Sequence, residues 1–153
     1  MTREVSMNEP GRLAGTLRQC AQAGVYHLPS GASGAIERAA AGLGFAVVRT
    51  NLSDCENKAE FLRRIASAMT FPDWFGHNWD ALTDCLTDLS WLPAEGYVVI
   101  LKHADRFRVA AEADFVTALD VFQEAARGWA DDNVPMWIFV GLTADGITHL
   151  RNL

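Results

Sequence analysis

Four short apolar runs recur along this chain: VYHL (25–28), FAVVRTNL (45–52), YVVIL (97–101) and VPMWIFVGL (134–142). The β-branched and aromatic residues that fill them favour a pleated, packed surface. YVVIL and VPMWIFVGL do not alternate apolar with polar, so strands made from them need cover on both faces. The intervening segments carry apolar residues at helical spacing, such as Phe61, Leu62, Ile65 and Met69, or Phe115, Leu119, Phe122 and Ala126. Strands near 25–28, 45–52, 97–101 and 134–140 therefore alternate with helices near 33–42, 58–69, 79–89 and 113–130. That alternation predicts an α/β fold, a mainly parallel sheet with helices packed around it.

The chain has 153 residues, the size of a single domain able to bury about two-thirds of its surface without a disulfide or metal. Half of its residues are hydrophobic and 21% are charged, which excludes disorder over most of the length. Residues 1–13 are polar, of mixed charge and without periodicity, and read as a flexible tail on a domain spanning 14–153. There is no repeat and no interdomain linker. The net charge of −6 argues against nucleic acid as a partner, since that affinity rests on cations meeting phosphate. No apolar run is long enough to span a membrane, and MTREVSMNEPGR lacks the apolar core of a signal peptide. Cys20, Cys55 and Cys85 are an odd number without metal-ligand spacing, as in reduced thiols of a cytoplasmic protein.

The distribution of charge is more informative than its sum. Between Arg64 and Lys102 there is no Lys or Arg, while Asp73, Asp80, Asp84, Asp88 and Glu95 all fall in that stretch. On the helix expected at 79–89, Asp80, Asp84 and Asp88 form one stripe, opposite Trp79, Leu82, Leu86 and Leu89. Like charges at i, i+4 are unfavourable by roughly 0.2–0.5 kcal/mol per pair. A charge stripe is ordinarily just a solvated helix face. Here the lack of any neutralising base, beside Trp74, Phe75 and His77 read as exposed, fits a surface that meets a basic partner. A second gap, between Arg108 and Arg127, holds Glu112, Asp114, Asp120 and Glu124.

Tests for chemistry mostly return structural readings. Cys85 faces the buried side of its helix and reads as a small core thiol rather than a nucleophile paired with His77. Asp80 and Asp84 occupy no evident cleft for acid–base work. His27, His77, His103 and His149 lack metal-ligand spacing, so neither metal nor cofactor is expected. SGASGAIERAAAGLG (30–44) is glycine-rich but has no GxGxxG and no Walker lysine, so it is not expected to be a phosphate-binding loop. Trp129 and Trp137 sit in apolar patterns and read as core.

The stretch FPDWFGHNWDALTDCLTDLSWLP (71–93) resembles the barstar family of intracellular ribonuclease inhibitors. Its Pro-acidic-aromatic-aromatic-Gly-x-Asn-x-Asp-Ala-Leu-x-Asp-Cys-Leu-Thr pattern is reproduced from Pro72 through Thr87. YVVILKHADRF, VFQEAARG and VPMWIFV resemble the family's later elements more loosely. The likeness runs over about 45–142 and makes residues 24–44 an added strand–helix unit. The resemblance implies a barstar-like fold and an inhibitor with no turnover, monomeric when free, whose partner is a basic ribonuclease of the secreted or toxin type. It implies that Trp74 packs over the nuclease active site and that Gly76 and Asn78 shape the loop into the helix. Asp80 and Asp84 then point at the nuclease's cations, with Asp84 imitating substrate phosphate. Thr87 lies at the far end of the contact, and Glu124 meets the partner's basic rim. On the contact face His77, Thr83 and Asp88 depart from the family pattern, replacing a carboxylate, a large aromatic and a glycine.

Three readings stand. The first is the ribonuclease inhibitor. The second is a binding or regulatory module on the same fold with another basic partner. The third is a small hydrolase using Asp80, Asp84 and His77.

Overall fold

In a computed structural model of the chain, residues 10–143 and 150–153 are described. The apolar runs become four strands, β1 (Val25–His27), β2 (Ala46–Asn51), β3 (Tyr97–Lys102) and β4 (Met136–Val140). All pair in parallel in the order β1-β4-β3-β2, with Val25 opposite Ile138, Tyr97 opposite Met136 and Ala46 opposite Tyr97. The two most apolar runs take the two central places. Every residue of β4, and Tyr97–Leu101 of β3, is buried, as strands covered on both faces must be. At one edge, β2 buries Val48 and Thr50 but exposes Arg49 and Asn51.

Parallel neighbours require crossovers, and here these are helical: α2 (Ser33–Gly42), α3 (Lys58–Ala68), α4 (Trp79–Asp88), α5 (Asp105–Ala110) and α6 (Glu112–Asp131). Alternate strand residues serve opposite faces. Val99, Leu101, Ile138 and Val140 pack with Phe61, Ile65, Leu82, Leu86, Phe107 and Phe122 of α3–α6. Val98, Ile100, Trp137 and Phe139 pack with Ile36 and Ala40 of α2 on the other side.

One further helix joins that second layer. Residues 10–13, read from sequence as part of a tail, open α1 (Pro10–Leu17), whose Leu13 and Leu17 are 2% and 0% exposed. The cause is nonlocal: the Trp137 indole N–H donates to the Leu17 carbonyl at 2.8 Å. Residues 1–9 and His149 lie outside the described residues. Beyond β1, Arg151 pairs with Tyr26, accepts a backbone hydrogen bond from His27 at 2.7 Å and lays its guanidinium over the Tyr26 ring. The outer edge of β1 is thereby covered.

Leu82, Leu86, Val98, Ile100, Phe122, Ile138 and Val140, on the apolar faces of these elements, are buried as expected. Trp79 is only partly so, because its ring lies at the start of α4 under the Lys58 ammonium, 5.4 Å from the ring centroid. The other elements absent from the sequence reading, a 3₁₀ turn at Cys20–Gln22 and the six-residue α5, are too short to show a period.

Candidate functional site

After α3 the chain turns sharply. Thr70 adopts a left-handed conformation, and the Phe75 N–H closes a turn on the Pro72 carbonyl at 3.0 Å. The turn sends neighbouring aromatics to opposite sides. Phe75 goes in, 6% exposed, while Trp74 stays 61% exposed. Phe75 is thus a correction to the trio of exposed residues read from sequence: its ring packs on Phe71 at 4.9 Å and on His77 at 4.7 Å. Nearer the helix the left-handed residue is His77, with φ 54°, rather than Gly76. A Cβ at Gly76 would meet Asn78 Nδ2 and the Ala81 Cβ only at ordinary contact distances of 3.4 and 3.6 Å.

Asn78 has the extended backbone of an N-cap, and its Oδ1 accepts the Ala81 N–H at 2.7 Å. With its Nδ2 donating to the Gly76 carbonyl at 3.4 Å, one side chain ties loop to helix. From that cap α4 buries Leu82, Cys85 and Leu86 and presents Asp80, Asp84 and Asp88 to solvent. Leu89, left-handed at φ 48°, ends the helix by donating to the Cys85 carbonyl. The hydroxyls of Thr83 and Thr87 donate back to the carbonyls of Trp79 and Thr83, at 3.2 and 2.8 Å. Burial pushes the Cys85 thiol up, helped by the charges of Asp84 and Asp88, away from thiolate chemistry.

Among the described residues, Asp73, Asp80, Asp84 and Asp88 take part in no ion pair. Asp80 lies in the first turn of α4, where the helix dipole offsets part of its charge. Asp84 and Asp88 have no such compensation. The stripe is a solvated anionic surface on a helix that is otherwise firmly packed.

Seven of the eight residues expected at a partner surface therefore stand on one loop and one helix: Trp74, Gly76, Asn78, Asp80, Thr83, Asp84 and Thr87. Glu124 comes from α6, which lies beside α4 and ties to it through the Trp129 indole N–H on the Leu86 carbonyl at 2.7 Å. Five residues from Trp129, and so roughly 140° around the helix, Glu124 is exposed and paired with Arg127 at 2.6 Å. Its charge is already partly spent inside the protein.

Sequence reasoning missed Trp91. Its indole N–H donates to the Met69 carbonyl at 3.0 Å, and its ring meets Trp74 edge-on at 6.3 Å and Phe71 at 6.0 Å. Half-buried Trp91 thus backs the exposed Trp74. The available signal was an indole just past the helix, inside the segment without bases.

Among the described residues no group of three or more His, Cys, Asp or Glu is placed to hold a metal ion. None of their helices is long and apolar enough to cross a membrane. The sequence model of the family described as barstar (barnase inhibitor) matches residues 45–141, from β2 through β4. No curated protein matches the chain.

Proposed function

Because the chain belongs to the barstar family, we propose that it binds a basic ribonuclease through α4 and the loop before it, and blocks the active site without turnover. The observation that carries this reading is the stripe of Asp80, Asp84 and Asp88, unpaired among the described residues, beside a Trp74 that is 61% exposed. A catalytic site that binds RNA must hold phosphate with Arg or Lys, and a rigid row of carboxylates offers those cations a substitute. Complementary charge brings the two proteins together quickly, and an aromatic anchor slows their separation.

In this reading Asp84 replaces substrate phosphate, Asp80 and Trp74 flank it, and Gly76 and Asn78 hold the loop. Thr83 and Thr87 bound the contact along the helix, and Glu124 meets its rim. The partner is an enzyme of the secreted or toxin kind, and the inhibitor acts in the cytoplasm, where the cell's own RNA needs protection. It is a monomer until bound. Acid–base hydrolysis by Asp80, Asp84 and His77 is disfavoured, because these groups stand exposed on α4 and the loop before it, on an open surface that excludes no water.

The test is affinity capture from the native cell followed by a ribonuclease assay. The expected result is a basic protein whose ribonuclease activity is suppressed stoichiometrically, and released by high salt or by Asp84→Ala in the inhibitor. A captured basic protein without ribonuclease activity would transfer the same surface to the second reading. Substrate turnover by the free chain, lost in Asp84→Asn, would establish the third.

A further inference from the structure

The glycine-rich segment 30–44, which contains α2, has no lysine with which to hold phosphate, but the fold brings one to its start. β1, β3 and β4 run parallel and end at the same edge of the sheet. Their carboxyl ends, with the start of α2, wall an open cleft of about 590 Å³ lined by His27, Ser33, Lys102, His103, Asp105 and Gly141, among others. That volume falls within the roughly 300–1,000 Å³ of small-molecule sites. Its position is the one where open α/β sheets take ligands, at the carboxyl ends of strands whose connections diverge. Here β1 leads to α2 on one face and β3 leads to α5 and α6 on the other, with β4 between them.

The lining favours an anion. Lys102 forms no ion pair among the described residues. His103, also on the wall, is exposed and forms no hydrogen bond there. The first turn of α2 has no acidic residue and no side-chain cap on its N–H groups. The Ser33 hydroxyl donates to Glu37 Oε2 at 2.8 Å, and that carboxylate is in turn paired with Arg49 at 3.4 Å. Asp105 is the carboxylate on the wall, and its Oδ1 accepts from the Thr143 N–H and hydroxyl at 2.9 and 3.1 Å. Gly141 adds no side chain to the floor, which its backbone forms beside those of Leu101 and His103.

We propose that this cleft binds a phosphate group, either free or carried by a small phosphorylated molecule, with Lys102 as its principal contact. None of these residues belongs to the surface on α4, so the two proposals stand or fall separately.

The experiment is an amide NMR titration of the full chain with inorganic phosphate and, separately, with a nucleoside monophosphate. Saturable shifts are expected at Ser33, Gly34, His103 and Gly141–Thr143. Lys102→Gln, at a half-exposed position that leaves the core untouched, should weaken binding about ten-fold or more. Asp105→Asn, which removes the opposing charge, should tighten it. A response to both probes assigns the site to phosphate itself, and a response to the nucleotide alone assigns it to an ester. No saturable shift with either probe at millimolar concentration, or equal affinity in well-folded Lys102→Gln, would overturn the proposal.

Discussion

α3 and α4 are built alike and charged differently. Each starts on an asparagine whose Oδ1 accepts the backbone N–H three residues on, Asn57 from Glu60 at 2.9 Å and Asn78 from Ala81 at 2.7 Å. Each buries one face in the same core, Phe61, Leu62 and Ile65 in one and Leu82, Cys85 and Leu86 in the other. On α3 the carboxylates are answered at home. Arg63 and Arg64 reach Glu60 at 2.8 and 2.9 Å, and Arg64 also reaches Asp54 at 2.6 Å. Hydrogen bonds from these arginines hold both carboxyls below the usual range. On α4 nothing among the described residues answers Asp80, Asp84 or Asp88. This protein does not pair every surface charge, since exposed Glu112, Asp120, Asp131 and Asp132 also take part in no ion pair among the described residues. What sets α4 apart is three carboxylates at i, i+4 spacing beside the exposed Trp74. Along α4 the protein tolerates repulsion, which makes sense if the pairing group arrives with a partner.

The shared half of this comparison carries the largest expected effect. Ile65→Ala and Leu86→Ala, both at fully buried positions, should each cost ~2–5 kcal/mol in denaturant unfolding. A loss under ~0.5 kcal/mol at Leu86 would place it on the surface and rotate α4 by half a turn. The difference should appear next, in binding. Asp84→Ala should weaken ribonuclease affinity roughly thirty-fold or more, mainly through faster dissociation. Asp80→Ala and Trp74→Ala should follow, and Trp91→Phe should weaken binding less than Trp74→Ala because it removes only the backing. Glu60→Ala, measured alongside, should leave affinity unchanged.

The two caps sharpen the contrast. Asn57→Ala and Asn78→Ala should each cost about 1 kcal/mol of stability, yet only the second should lower affinity, since it loosens the loop carrying Trp74. Acid separates the helices further. Because the native carboxyls of Asp54 and Glu60 titrate below their unfolded values, their contribution is complete above about pH 5 and is lost as pH falls through the lowered values. Arg64→Met should flatten that acid limb of the stability curve. The smallest effect belongs to Glu124→Ala, expected to slow association modestly and leave dissociation alone, since Arg127 already shares its charge.

Regular elements with a strong local pattern were legible in the sequence. α2 begins and ends where Ser33 and Gly42 place it, and the central strands follow their apolar runs to within two residues. α1 was not, because its apolar face is only Leu13 and Leu17 and its stability comes from a sheet residue more than a hundred positions away. The Pro-Gly step at 10–11 opens the helix, where a missing N–H costs nothing. The stripe of aspartates was legible because 100° per residue decides which way each one points. The aromatic loop was less so. Which of Trp74 and Phe75 turns inward depends on the turn at Pro72, and the support from Trp91 depends on a chain reversal with no sequence period. Likewise the gap before Arg127 seemed to leave Glu124 bare, although an arginine three residues on can fold back to it.

The central claim is that the aspartates of α4 are kept for a partner and not for the fold. It is tested most directly by measuring both properties on one variant, Asp84→Asn, by denaturant unfolding and by ribonuclease binding. Removing the charge relieves repulsion with Asp80 and Asp88, so stability should hold or rise by roughly 0.2–0.5 kcal/mol per pair, while affinity falls ten-fold or more. Stability that drops while ribonuclease affinity stays intact would contradict the claim.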